Sequence, residues 1–402
     1  MASRISDELS EASLRVFDLE KQKRSLRRFY YRHQLLIRAM GITLVWEMVA
    51  ELIGLLAYSI FPATADAAAF LPGQHSPLTA IWARWDGIWY LMIARQGYGS
   101  QVGNLQVFFP AFPGLIHVLG TLLGGNYLLA GVLLNRLLLL PTVVIFTQLV
   151  REEAGTRAAA SAPLFLLLAP AAVFFLAVYT ETLFVLACLG CFLAIRHERW
   201  LLAGLCCAVA TATRLPGVVL VGAVLVEGIA QRKYWQSLGA AGLGMIGLGA
   251  YALYLHTVYG DPLAFQHAYN YGWGNRHFTL AIWSVPQHYI GWVMTSWPWT
   301  DRGSITTWSY IAALVLDVLL LLVMWRALRW SYRVFVLGNL LLPLLSGTLF
   351  AYNRYSLVLF PLLLVACCWT AKRPNLREGV LLTMACFLVL NIVMFTASYW
   401  VG

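Results

Sequence analysis

Charged side chains are scarce in this sequence. Only 11% of its 402 residues are Asp, Glu, Lys or Arg, whereas 60% are hydrophobic. Soluble domains carry about 25% charged residues, so this composition excludes a soluble globular fold. The apolar runs recur along the whole chain with short polar breaks between them, and no stretch has the composition of an appended soluble domain. The sequence therefore predicts an all-α polytopic membrane protein.

Patterns that bind metals or form disulfide frameworks are also lacking. The seven cysteines lie almost entirely within apolar runs, where we expect them to be small packing residues. The histidines match no zinc-ligand spacing, and we expect neither a metal nor another cofactor. The net charge of +10 comes largely from the N-terminal segment and the breaks between apolar runs. That distribution indicates contact with membrane lipid rather than with nucleic acid.

Loop charges predict the topology. Residues 1–34 form a basic arm that we expect on the cytoplasmic side, and residues 35–402 form a single transmembrane domain. The apolar run 108–123 is barely long enough to cross. If it dips into the membrane as a re-entrant or juxtamembrane helix instead, every later basic loop lies on the same side as the arm, as the positive-inside rule requires. We therefore predict about 11 transmembrane helices, with the N-terminus inside and the C-terminus outside.

This topology places two large loops, 62–126 with juxtamembrane helices and 259–305, on the extracytoplasmic face. The aromatic residues of the second loop are expected to form the far wall of a site. The predicted spans are about 35–61, 127–150, 159–178, 181–195, 200–213, 215–230, 237–258, 306–325, 334–351, 355–371 and 379–400.

Four acids lie in or near these spans: Glu47 and Glu51, one turn apart, and Glu227 and Asp317. A charged side chain facing lipid costs about 3 kcal/mol, so we expect these carboxyl groups to point into the bundle. Interhelical contacts are the predicted role, and a site role for Glu47 and Glu51 is the alternative.

A few acids and isolated arginines share the extracytoplasmic face in this topology. Asp86 lies near Arg84 in the first loop, and Glu181, Arg214 and Arg354 each begin or abut a span on that side. Arginines on this face run against the positive-inside rule, so their presence there calls for an explanation. Binding of an anion would explain them, because a planar guanidinium forms paired hydrogen bonds with phosphate.

Several sequence blocks carry a resemblance to a known family. The stretch RWDGIWYLMIARQGYG, followed by FFPAFPGL, resembles the PIG-V-type mannosyltransferases, the GPI mannosyltransferase II family with its bacterial relatives, in the GT-C superfamily. Later blocks resemble that family in the same order, and the likeness covers most of the chain from about 80 to 365. Those blocks are PAAVFFLAVYTETLF, ATATRLPGVVL, YGDPLAFQHA and NRYSLVLFPLL.

The resemblance implies a GT-C fold, a catalytic aspartate in the large first extracytoplasmic loop, and a polyprenyl-phosphate sugar as donor. Asp86 is accordingly the candidate general base that takes the proton of the acceptor hydroxyl. An aspartate here could also cap the helix that begins at Gly87, and this alternative stays open.

The other candidates would bind substrate around that base. Guanidinium groups would hold the donor phosphate, although snorkelling at a helix end is the plain alternative. Arg84 would bind phosphate or keep Asp86 ionised. Glu181 would act as a second catalytic acid that orients the acceptor or the base, unless it only stabilises a helix N-terminus. The expected substrate-binding residues are Arg84, Trp85, Trp89, Tyr90, Arg214, Arg354 and Tyr355.

The predicted function is an inverting glycosyltransferase of the cell membrane that transfers mannose from polyprenyl-phosphate mannose to an acceptor hydroxyl on the extracytoplasmic face. The acceptor and the oligomeric state stay open. The alternative is a transporter or flippase of lipid-linked sugars, which also needs many spans and buried charges. Such a protein should show an inverted internal repeat, and the sequence contains no such symmetry.

Overall fold

A computed structural model describes residues 33–61, 76–99, 104–272, 278–295 and 302–401. Within these ranges the chain forms helices, short 3₁₀ segments and turns, and no strand. This confirms the predicted all-α fold. The basic arm lies almost wholly outside the described residues, so its predicted position stays a prediction.

Seventeen α-helices are described. The first nine are α1 (His33–Ile60), α2 (Pro77–Ala80), α3 (Asp86–Gln96), α4 (Ala111–Leu122), α5 (Tyr127–Ala159), α6 (Ala162–Leu167), α7 (Glu181–Arg196), α8 (Trp200–Thr213) and α9 (Gly217–Ala230). The others are α10 (Tyr234–Tyr259), α11 (Ala264–Gly272), α12 (Ser284–Thr295), α13 (Arg302–Met324), α14 (Trp330–Leu345), α15 (Tyr352–Val358), α16 (Phe360–Thr370) and α17 (Pro374–Thr396). Short 3₁₀ segments cover Leu105–Val107, Pro170–Phe175 and Trp325–Ala327.

Several helices are long and apolar enough to cross a membrane. Five of those described pass by length and composition, namely α1, α5, α10, α13 and α17. Helices α15 and α16 form a sixth span if the pair, bent by 62°, is taken as one. A multi-pass membrane protein is therefore confirmed, whereas the number of 11 spans is not confirmed.

Two apolar stretches of the sequence form short helices. Helix α4 has 12 residues and rises about 18 Å, well short of the roughly 30 Å of a hydrocarbon core. This length suits the juxtamembrane helix predicted for 108–123. The predicted span 159–178 is divided between α6 and the 3₁₀ segment Pro170–Phe175, because Pro170 lacks the N–H that would continue a helix.

Glycines bring α8 and α10 into close contact. A Cβ atom on Gly204 would lie 2.9 Å from the carbonyl oxygen of Ala240, and one on Gly244 would lie 2.6 Å from the Cβ of Cys207. Small residues at helix interfaces permit such approaches in membranes, where association depends on packing rather than on the hydrophobic effect. Helix α8 also packs on α7, and Arg214 follows directly after its last residue, Thr213.

A buried group of charges joins several helices at the C-terminal end of α7. In what we call the Arg196 cluster, Arg196 lies 2.5 Å from Glu153 of α5 and 2.6 Å from Glu227 of α9. Ser331 of α14 also donates a hydrogen bond to Glu227. The interhelical role predicted for Glu227 is confirmed.

Two more of the acids in the spans make interhelical contacts. Glu51 of α1 is paired with Arg136 of α5 and accepts a 2.9 Å hydrogen bond from the indole of Trp82. Asp317 of α13 accepts a 3.1 Å hydrogen bond from the hydroxyl of Tyr352 on α15. The predicted contacts of Glu51 and Asp317 are thus confirmed.

Candidate active site

Four charged side chains that are far apart in the sequence form a continuous chain of ion pairs, the Asp86 cluster. Arg354 Nη1 lies 2.5 Å from Asp86 Oδ2, and Arg354 Nε lies 3.4 Å from Glu181 Oε1. The same oxygen of Glu181 accepts a 2.7 Å hydrogen bond from Arg214 Nη1. One carboxylate oxygen therefore holds two guanidinium groups, and one of these also contacts the second carboxylate.

The start of α3 places Asp86. Trp85 has φ 52° and ψ −118°, a combination that a residue with a side chain rarely adopts and that marks stored strain at functional sites. Gly87 follows, and a Cβ there would lie 3.2 Å from the carbonyl oxygen of Val178. The absence of a side chain at Gly87 thus lets α3 approach the segment before α7. The Asp86 N–H donates to the Tyr179 hydroxyl at 3.2 Å.

The segment before α7 is held by its neighbours. The side-chain amide of Asn135 donates to the carbonyl oxygens of Ala177 and Tyr179, and the Val178 N–H donates to the Trp82 carbonyl at 2.9 Å. These bonds satisfy backbone groups that would otherwise be buried without partners. They fix the point at which α7 begins with Glu181.

Aromatic rings hold both arginines. The Arg354 guanidinium lies 5.0 Å from the ring centre of Tyr179, and that of Arg214 lies 5.3 Å from the ring centre of Tyr355. A guanidinium over an aromatic face is stabilised by the ring quadrupole. The two cations therefore have defined positions before any ligand is bound.

A cavity of about 690 Å³ opens beside this chain of charges, within the range of sites that bind small molecules. Asp86, Arg214 and Arg354 contribute its charged lining. The remaining lining is mostly aromatic and apolar, with a few hydroxyl and amide groups. It includes Trp85, Trp89, Tyr90, Phe108, Phe109, Thr213, Gln266, Tyr269, Phe278, Ser346, Thr348, Phe350, Tyr355 and Trp400.

The structure brings most of the predicted site residues to this cavity. Glu181 is different: it is fully buried and absent from the cavity lining, so it contacts the arginines from behind. Arg84 is also absent from the lining. Its Nη2 donates to the carbonyl of Thr396 at 3.4 Å, and its guanidinium lies 5.9 Å from the ring centre of Tyr58. The structure therefore places Arg84 outside the cavity lining.

The second large loop contributes to the site as well. Gln266, Tyr269 and Phe278 line the cavity, whereas Asp261 is bonded to His267 and to the N–H of Leu263. Residues 273–277 and 296–301 of this loop lie outside the described residues.

Sequence reasoning missed three residues that shape the site. Tyr179 contacts both Asp86 and Arg354, and Asn135 fixes the backbone beside it. Trp400 packs edge-to-face on Trp85 with ring centres 5.3 Å apart. An asparagine within an apolar span was the one available signal, since buried amides need partners. Nothing in the sequence distinguished Trp400 from an interfacial anchor.

The described residues contain no group of three or more His, Cys, Asp or Glu side chains that could hold a metal ion. What they do contain is a carboxylate and two guanidinium groups at one end of an aromatic cavity. Carboxylates serve as general bases, and guanidinium groups stabilise charge that develops on phosphate oxygens. The site is therefore suited to group transfer in which phosphate is bound or released.

Fold and site together define the class of a polytopic membrane protein with a cavity lined by one aspartate and two arginines. The chain belongs to the mannosyltransferase (PIG-V) family, whose sequence profile matches residues 60–276. The resemblance drawn from the WDGIWY block is thereby confirmed, and the chain is a membrane glycosyltransferase of a mannosyltransferase family. No curated protein matches the sequence.

Two solved structures show remote similarity. ArnT from Cupriavidus metallidurans bound to undecaprenyl phosphate has 14% identity and a TM-score of 0.48, over 89% of this chain and 76% of that one. The Archaeoglobus fulgidus oligosaccharyltransferase has 11% identity and a TM-score of 0.42, over 92% of this chain and 53% of that one.

Proposed function

We propose that the protein transfers mannose from polyprenyl-phosphate mannose to an acceptor hydroxyl, with inversion at the anomeric carbon. The observation that supports this most directly is the contact between Asp86 and Arg354 at the cavity surface, at 2.5 Å. It puts a proton acceptor and a phosphate-binding cation at neighbouring positions. Inverting transfer from a glycosyl phosphate needs both groups close to the same anomeric carbon.

Asp86 is the proposed general base. Its Oδ2 is held by Arg354, whereas its Oδ1 has no hydrogen-bond partner in the part of the chain that the structure describes. Oδ1 would take the proton of the acceptor hydroxyl while the hydroxyl oxygen forms a bond to the anomeric carbon. The bond from that carbon to the phosphate oxygen breaks, and its electron pair leaves with the phosphate. A β-linked donor then gives an α-linked product.

The arginines are the proposed phosphate ligands. Arg214 and Arg354 each reach the cavity and are bridged by one oxygen of Glu181. Their N–H groups can therefore donate hydrogen bonds to the same phosphate. The charge that develops on the leaving phosphate would be stabilised by donors that are already in place. Glu181 would act through the two arginines as a positioning residue and not on the acceptor.

Arg354 also links donor binding to the base. In the structure it donates to Oδ2 of Asp86. A donor phosphate that draws the guanidinium toward itself would weaken that contact. Both oxygens of Asp86 would then be available to the acceptor hydroxyl when the donor is bound.

The aromatic part of the cavity is the proposed sugar site. Trp85 and Trp89 line it next to Asp86, where an apolar ring face can cover a hexose. The topology argued from the loop charges puts this cavity on the extracytoplasmic face of the cell membrane, where a polyprenyl-phosphate sugar would reach it from the lipid. The donor supplies all the chemistry, and no cofactor is needed in this scheme.

A transfer assay tests the proposal. Purified protein in lipid vesicles would receive radiolabelled polyprenyl-phosphate mannose, with a total membrane extract as the source of acceptors. We expect radiolabel in a new product, from which α-mannosidase releases labelled mannose. When Asp86 is replaced by Asn, no labelled product should form. Label that only crosses the bilayer, with the donor intact, would contradict the proposal and favour transport.

A further inference from the structure

Tyr90 carries a hydroxyl that makes no hydrogen bond within the described residues. The residue as a whole is only 6% exposed, and it lines the cavity. Its ring packs edge-on against Phe108 and Phe112, with ring centres 5.0 and 5.3 Å away. These contacts fix the ring, so the hydroxyl is the group of Tyr90 that can contact a ligand in the cavity.

All four charges of the Asp86 cluster act on this hydroxyl. Burial raises the pKa of Tyr90, and the negative charges of Asp86 and Glu181 raise it further, while Arg214 and Arg354 act in the opposite direction. The phenol therefore keeps its proton at physiological pH and is available as a hydrogen-bond donor. Asp86 lies four residues before Tyr90 and hence on the same face of α3, yet the two side chains are not hydrogen-bonded.

The charge balance of the site favours phosphate as the acceptor of that hydrogen bond. Two carboxylates and two guanidinium groups sum to zero, so a bound phosphodiester leaves the site with one negative charge. A neutral donor stabilises that charge without another cation. Hydrogen bonds to ionised oxygens are also stronger than those to sugar hydroxyls.

We propose that the Tyr90 hydroxyl donates a hydrogen bond to the donor's phosphate, as a third ligand beside Arg214 and Arg354. This inference rests on the proposed function, because it presumes a phosphate between the two arginines. The contact would be made with polyprenyl phosphate alone as well as with polyprenyl-phosphate mannose. It therefore contributes to binding of both the substrate and the released lipid.

Binding measurements on the full chain in nanodiscs test the proposal. The Y90F variant removes one oxygen and keeps the ring contacts, and Y254F, at a surface tyrosine that does not line the cavity, is the matched control. We expect Y90F to weaken the affinity for polyprenyl phosphate about tenfold, a typical loss for a hydrogen bond to a charged group. The affinity for polyprenyl-phosphate mannose should fall by the same factor, and Y254F should bind both lipids as the wild type does.

Other outcomes separate the hypotheses. Unchanged binding of polyprenyl phosphate by Y90F, at an unchanged melting temperature, would falsify the Tyr90 proposal alone. A loss confined to the mannosylated lipid would also overturn it, since the contact would then be with the sugar. Wild-type protein that binds neither lipid would overturn the proposed function, and the Tyr90 contact with it. If Y90F does not fold, protein with 3-fluorotyrosine incorporated at position 90 alone replaces it: the more acidic phenol should bind polyprenyl phosphate more tightly, and no change refutes the contact.

Discussion

The two ends of α7 carry buried charges, and only one of these two groups of charges lines the cavity. The helix begins with Glu181 in the Asp86 cluster and ends with Arg196 in the Arg196 cluster. In the Arg196 cluster both oxygens of Glu227 are engaged, Oε1 by Arg196 and Oε2 by Ser331. Both oxygens of Glu153 are engaged as well, by Arg196 and by Arg329.

Both clusters contain buried polar atoms without a hydrogen-bond partner among the described residues, and in the Arg196 cluster one of these is Nη2 of Arg196. Glu181 Oε2 is buried without a partner in the described chain, and Asp86 uses only one of its two oxygens. Only the Asp86 cluster opens to the 690 Å³ cavity. Breaking a buried ion pair destabilises the fold in either cluster. Buried charge alone therefore does not identify a functional site. Contact with the cavity, together with the oxygen of Asp86 that no described residue binds, distinguishes the end that we assign to catalysis.

The largest expected effect is that of D86N. Replacing the proposed base should lower the transfer rate by about 100- to 10,000-fold, because an amide cannot accept the acceptor's proton. Binding of polyprenyl phosphate should persist, since Arg354 loses a competing partner. Initial rates with radiolabelled donor and lipid-binding isotherms measure the two effects. A D86N protein with wild-type rates would end the assignment of Asp86.

The second effect concerns the positioning role of Glu181. E181Q removes the negative charge between Arg214 and Arg354, so the two cations should repel each other and shift. A misplacement of about 1 Å can cost about 100-fold in rate, and we expect kcat/KM to fall on that scale with a raised KM for the donor. E181D, which keeps the charge, should recover part of the loss. If E181Q alters only the melting temperature, Glu181 is merely structural.

The control is the same Glu-to-Gln replacement at Glu227, which pairs with Arg196 at the other end of α7. E227Q should lower the free energy of unfolding by about 1–3 kcal/mol, because charge-assisted hydrogen bonds are weakened, and leave kcat/KM of the folded protein unchanged. Thermal unfolding in detergent and the transfer assay measure the two quantities. Loss of transfer in folded E227Q would erase the distinction between the two clusters.

The smallest effect should follow R84Q. Arg84 is close to Asp86 in sequence, but it contacts Thr396 and Tyr58 instead of the cavity. We expect a loss of about 1 kcal/mol in stability and an unchanged KM for the donor. A raised KM without a change in melting temperature would return Arg84 to the substrate-binding residues.

Much of the site could be predicted from local sequence. The WDGIWY block and the arginines in apolar surroundings indicated Asp86, Arg214 and Arg354, since a charge near lipid persists only with a partner or a function. The role of Arg84 could not be predicted in this way. The left-handed backbone at Trp85, with φ 52°, directs the side chains on either side of it to different surroundings, and sequence proximity does not reveal such a turn.

Helix number was less predictable than helix location. Hydropathy located the long spans α5, α10, α13 and α17, because an apolar run of sufficient length has few alternatives in a membrane. It could not show that 159–178 would break into α6 and a 3₁₀ segment. At that break the carbonyl of Pro170 accepts a hydrogen bond from the side-chain amide of Asn391 on α17, and such compensation depends on distant parts of the chain.

The sequence by itself determined the membrane environment, the helical fold and the family, because composition and local motifs decide which groups can be buried in lipid. Only the tertiary structure decided which charges meet. Asp86 and Arg354 are 268 positions apart, and their contact depends on how α3 and α15 pack against α7 and the segment before it. Packing also left Glu181 behind the arginines rather than in the cavity, where two guanidinium groups offset the cost of removing its carboxylate from water.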